Sequence, residues 1–253
     1  MSTVRYAYAV TRPFRAPLPV ALTGVAGAPA HTVAEGGLVA VVSSVPEADF
    51  AEIPLLRCLD DPARLAELTR AHENVVAALV SVTSPLPLPL ATVRPDDDAV
   101  RELLAYGRAR FLPTLERLDG RLEWGVTVYP EGPGRRTGEP VGAVPKLLHE
   151  RLARHAEDVR TGPGTPRPGA AGESGGPGES GGSGGSGPVL LDAAYLVRRA
   201  ACAAFVEEFN WLSPRAPGVR AVLSGPWAPY SFVTLAGGGS TAGSPRHPGG
   251  GIG

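Results

Sequence analysis

The chain is poor in several things, and each shortage closes off a class of function. Of 24 Lys and Arg residues, Lys146 is the one lysine, which fits poorly with lysine-based chemistry. Formal net charge is −1, so there is no basic surplus of the kind that neutralises nucleic-acid phosphates. Two cysteines, Cys58 and Cys202, stand far apart. They make neither a disulfide framework nor metal-knuckle spacing, and they fit a reducing cytosol as small buried apolar residues. No stretch approaches 18 uninterrupted apolar residues, so no membrane span is expected. "MSTVRYAYAV" lacks the basic-then-apolar order of a signal peptide. Aromatics are 6% of the 253 residues. Glycine and proline, in contrast, number 33 and 27, which implies linker as well as globular structure.

The globular part reads as alternating strands and helices. Arg5 to Thr11 is a β-rich run, and Gly36-Gly37 marks a hairpin turn leading into an apolar arm, Leu38 to Val45. Asp61 and Pro62 form an N-cap and first-turn pair. Leu65, Leu68, Val75, Val76 and Leu79 follow at helical steps, with His72 on the same stripe. "PLPLPLATV" is extended and suits a sheet edge near Leu90 to Val93, since each proline removes a ladder donor. Asp96, Asp97 and Asp98 open a second helix, where acids suit the positive end, and Pro113 is expected to kink or split it. Arg121 to Tyr129 alternates as a strand, and Pro145 to Val159 reads as a helix. "VLLDAAYLV", "RRAACAAFVEEFNWL" and "VRAVLSG" then read as strand, helix and strand. The Gly/Pro/Ser stretch 161–188 cannot bury enough apolar surface to fold and is expected to be disordered, as is the tail 236–253. The expected class is α+β in two domains, 1–119 and 120–235, the second a ferredoxin-like split β-α-β sandwich interrupted by the linker.

Motifs for chemistry are weak. G-x-S-x-G occurs around Ser174, Ser180 and Ser183, all in the low-complexity stretch, without the strand and helix that a nucleophile elbow needs. "GPGRRTG" lacks the spacing and lysine of a phosphate loop. His72 has no nominated nucleophile or orienting partner, so a structural role is the better reading than a hydrolase or transferase base. No catalytic, cofactor or metal residue is assigned, and no small-molecule substrate is expected. An apolar pocket lined by Trp124, Tyr195 and Phe205 would instead favour a small-molecule-sensing module. The densest aromatic stretch, "LSGPWAPYSFV" (Leu223 to Val233), supports two readings. Tyr230 and Phe232 suit a final core strand, whereas Pro226 and Pro229 would hold Trp227 on a stiff edge as a binding anchor. Pro226, Trp227, Tyr230 and Phe232 are the candidate partner-binding residues.

That ending, with "DAAYLV", "FVEEF", "YAYAV", "LTRAHENVV", "LPLPLATVRPDDDAV" and "LEWGVTVY" in the same order, resembles the gas vesicle protein F/L family from about Tyr6 to Leu235. Two positions depart from the family's edge motif: Pro89 stands where arginine is expected and Ala91 where glycine is expected. The resemblance implies a non-enzymatic, cytoplasmic assembly factor associated with the gas vesicle, without cofactor. Its implied partners are the apolar shell protein (gas vesicle structural protein A) and other accessory proteins.

Overall fold

The computed structural model describes residues 2–19, 22–131, 143–162 and 189–233. It is an α+β chain built on two antiparallel sheets. In the first, β1 (Thr3–Thr11) is flanked by β3 (Leu38–Pro46), which forms a hairpin with β2 (Ala30–Glu35). The turn falls on Gly36-Gly37, with φ of 55° and 79°. That matches the expectation, because such a turn twists with the strands it joins. On its other side β1 pairs with two short pieces, β4 (Leu86–Pro87) and β5 (Val93–Arg94). The proline-rich stretch therefore touches the sheet twice, as an edge.

Both faces of this sheet are covered, so its central strands are apolar on both sides. Leu38, Ala40 and Val42 join Ala7 and Val10 on one face, against α4 (Asp97–Leu118). Val41, Val45, Tyr6 and Tyr8 face α3 (Pro62–Val80) through Leu68, Val75, Val76 and Leu79. The caps are as read from sequence: Asp61 accepts from the amides of Ala63 (2.9 Å) and Arg64 (3.2 Å), and Asp96 from Ala99 (2.8 Å). Arg5 reaches Asp97 at 2.6 Å, tying β1 to the start of α4.

Several expectations need correction. Helix α4 runs unbroken through Pro113. Phe111, Leu115 and Leu118, buried on either side of the proline, hold the helix together despite its lost amide. Two helices before α3 were not anticipated, α1 (Glu47–Phe50) and α2 (Glu52–Asp60). Cys58 and Cys202 are half-buried rather than enclosed.

The second sheet has the order β7-β8-β6-β9, from β6 (Arg121–Pro130), β7 (Asp158–Thr161), β8 (Leu191–Arg198) and β9 (Val219–Trp227). Helices α5 (Ala143–Ala153) and α6 (Cys202–Leu212) pack on one face over Val126, Val128, Tyr195 and Val197. The helix expected to end at Val159 stops at Ala153. The four residues of β7 then pair with β8, Val159 opposite Tyr195. The stretch expected as linker thus begins inside a strand, at Thr161; its residues 163–188, like the tail 236–253, lie outside the described residues. Ala194 and Leu196 of β8 point away from α5 and α6. They share one apolar cluster with α4, the first sheet and Phe232.

Candidate functional site

The aromatic ending is in part strand, in part exposed and in part buried. Strand β9 continues to Trp227, paired with Glu123, and the backbone then leaves the sheet. Gly225 has φ of 118°, and a Cβ there would stand 2.9 Å from the Glu123 carbonyl oxygen, so the exit from β9 needs glycine on both counts. Tyr230–Phe232 forms a 3-10 turn instead of the expected strand. Ala228 and Tyr230 enter the cluster between the first sheet and α3, while Phe232 enters the cluster on the sheet's other face. Chain from one half therefore completes two cores of the other.

Polar contacts hold this strap in place. Glu123 is fully buried on β6. Its carboxylate accepts from the Ser231 amide at 2.8 Å and the Ser231 hydroxyl at 2.6 Å. These are charge-assisted bonds, stronger than neutral ones. The Arg117 guanidinium of α4 donates to the Phe232 carbonyl.

Of the four sequence candidates, Phe232 has no exposed surface. Tyr230 is half-buried, its hydroxyl enclosed and without a hydrogen-bond partner among the described residues. Burial, with Glu73, Glu123 and Tyr6 nearby, pushes that hydroxyl's pKa far above the usual tyrosine range. Trp227 is half-buried, its indole N–H enclosed and unpaired among the described residues, and Pro226 is exposed. The segment thus divides: Pro226 and part of Trp227 face outward at the end of β9, whereas Tyr230 and Phe232 close the interior. Sequence missed this because only the tertiary arrangement brings Glu123 to Ser231, 108 residues apart.

The other candidates resolve as structure. His72 is 2% exposed, with its Nδ1 3.2 Å from the Tyr6 hydroxyl and the Tyr6 and Tyr8 rings packed against it. Desolvation lowers its pKa to about 4, so it is neutral at pH 7. A ring walled in this way offers no path to a substrate proton. The Tyr6 hydroxyl in turn accepts from the Ala91 amide at 3.1 Å. Ala91 has φ of 63°, the left-handed conformation that favours glycine, at the position where the resemblance expects glycine. Trp124, Tyr195 and Phe205 belong to the apolar cluster beneath α5 and α6. Their rings pack on one another, Phe205 lying 6.0 Å from Trp124 and 5.4 Å from Tyr195. The Trp124 indole donates to Cys202 Sγ at 3.3 Å.

What remains open to a partner is backbone edge. Among the described residues, strand β9 pairs with β6 on one side and with no strand on the other; Val222, 37% exposed, lies along it, with Pro226 near its end. No helix among the described residues is long and apolar enough to cross a membrane.

Comparison with known proteins gives this arrangement a family. The model for "Gas vesicle synthesis protein GvpL/GvpF" matches residues 4–137 and 135–234. The chain is 44% identical to gas vesicle protein L of Streptomyces sp. (strain CB03234) over 256 residues, covering 93% of this chain and 96% of that one. It is 26% identical to gas vesicle protein F of the same strain, covering 92% and 100%. The crystal structures of GvpF from Anabaena sp. PCC7120 and Microcystis aeruginosa superpose with TM-scores of 0.67 and 0.65, at 15% and 14% identity. The first covers 93% of this chain and 98% of its own, the second 90% and 98%. They share the fold. With residues 4–234 matched by the family model and 93% of the chain aligned to a relative of 44% identity, the chain belongs to the gas vesicle protein L/F family.

Proposed function

We propose that this chain is a non-enzymatic accessory protein of gas vesicle formation, acting in the cytoplasm and at the vesicle. It binds the apolar shell protein (gas vesicle structural protein A) and other accessory proteins during assembly. Family membership over nearly the whole chain carries the reading. A shell subunit with an apolar gas-facing surface aggregates in water unless a partner covers it. The free edge of β9 suits that task, because strand addition supplies backbone hydrogen bonds without any reacting group. Pro226 and Trp227 flank this edge and are the proposed contact residues; Tyr230 and Phe232 act through the strap. The order β-α-β-β-α-β supports reading 120–235 as the ferredoxin-like unit and 1–119 as a separate α+β unit.

Co-precipitation with purified shell protein tests the reading. Val222→Asp places a charge on the open edge and should abolish capture while leaving the thermal midpoint within about 2 °C, as for an exposed substitution. Full capture by this variant, or none by the wild-type chain, would refute the proposal.

A further inference from the structure

The edge of β9 has a definite register. The Glu131 amide donates to the Gly218 carbonyl at 3.0 Å, and the pairing with β6 continues in step from Pro130 opposite Val219 to Gly125 opposite Ser224. Backbone groups of an antiparallel strand point alternately to its two neighbours. Arg220 and Val222 therefore turn their amides and carbonyls toward β6, whereas Val219, Ala221 and Leu223 turn theirs to the open side. Pro130, which has no amide, stands opposite Val219, in keeping with this assignment. The open stretch ends at Pro226, which has no amide to offer.

Side chains follow the same alternation. Val219, Ala221 and Leu223 belong to the cluster under α5 and α6, and the last two are only half-buried there. Arg220 and Val222 lie on the other face, opposite Tyr129 and Thr127, and both are exposed. The Arg220 guanidinium sits over the Tyr129 ring, 4.8 Å from its centroid, and makes no ion pair among the described residues. The ring fixes where this cation stands. A strand added to β9 would run about 5 Å from it. The acids sharing this face, Glu131 just beyond β6 and Asp192 on β8, stand behind β9. They are about 10 and 14 Å from an added strand, beyond the distance at which physiological salt screens exposed charges. Arg220 is thus the charge that an incoming strand meets.

We propose that the β9 edge selects an antiparallel strand of three successive apolar residues followed by an acidic one; this rests on the reading of β9 as the docking edge for the shell protein. Every pairing in the second sheet is antiparallel, and such pairing is the more stable per residue. The first and third apolar residues bond through their backbones to Leu223 and Ala221 and extend the half-covered cluster beside them. The second lies beside Val222. The acid lies beside Arg220, as a cross-strand charge pair.

The test uses the full chain and labelled peptides, read by fluorescence anisotropy. Two peptides carry three valines followed by glutamate or by lysine, in a Gly/Ser frame. The glutamate peptide should bind about threefold to tenfold more tightly, and the gap should narrow as salt rises. Arg220→Glu should reverse the preference, which loss of a merely structural arginine would not do; its thermal midpoint is the folding control. N-methylation of the first and third valines removes the amides that face β9 and should abolish binding, whereas methylation of the second should be tolerated. Equal binding of the two peptides, no reversal by Arg220→Glu, or binding that survives methylation of the first and third valines would each overturn the proposal. So would sedimentation showing that this edge instead joins two copies of the chain. Shell-protein capture that Val222→Asp abolishes, with neither peptide bound, would overturn the strand sequence and leave the edge reading standing. Full capture by Val222→Asp would overturn the edge reading itself.

Discussion

Phe232→Ala is the sharpest test of how the molecule is closed. The ring has no exposed surface and shares a cluster with Val10 of β1, Leu104 and Phe111 of α4, and Leu196 of β8. Removing a buried phenylalanine ring loses its transfer free energy and leaves a cavity, at a cost of about 3–5 kcal/mol. In a chain of this size each kcal/mol lowers the unfolding midpoint by about 2–4 °C, so a drop of roughly 6–20 °C is expected. Thermal unfolding followed by circular dichroism reads this directly. Val222→Ser on the open edge of β9 is the control and should move the midpoint far less. Because the ring contacts residues of both sheets, limited proteolysis of Phe232→Ala should expose sites in both halves together. A midpoint shift under about 2 °C, or one equal to the control, would refute the claim that residues 228–233 close the interior.

Three further outcomes follow from the same geometry. The His72 pKa is depressed to about 4 from an ordinary 6.5, so its contribution is complete above pH 6.5 and is lost as pH falls toward 4. That loss amounts to about 3 kcal/mol, and a urea titration series should show a falling midpoint across this window that His72→Gln removes. Ala91→Gly relieves a left-handed alanine, offset in part by greater freedom of the unfolded chain, and should stabilise by up to about 1 kcal/mol in urea unfolding; a loss of stability would contradict the strain. Gly225→Ala meets both the 118° φ and the Glu123 carbonyl, and should cost about 1–3 kcal/mol, seen as a lower urea midpoint.

Local signals were legible in sequence where one segment alone determines the outcome. The Asp61-Pro62 and Asp96 to Asp98 starts were readable because a cap is made within three residues, and the Gly36-Gly37 hairpin because its turn is. Helix α2 was not, since nine residues with a proline among them give little helical period to read. Strand β7 is four residues long and pairs with a strand more than 30 positions away, too short for alternation to register. The ending was ambiguous for a different reason. Its aromatics suit burial and its prolines suit an edge, and both descriptions hold, for different residues. Which residue goes where depends on Glu123 and Arg117, whose positions no local pattern supplies. The open edge of β9 was likewise unreadable, because strand order is a property of the assembled sheet.

The strap also has a consequence for synthesis. The amino-terminal half emerges from the ribosome before residues 228–233, so its apolar clusters are complete only once that strap has been made. Until then the two clusters on opposite faces of the first sheet, one against α3 and one against α4, lack their final side chains, and a product terminated before the strap never acquires them. Chains that stop short of residue 228 leave apolar surface in both clusters without its cover.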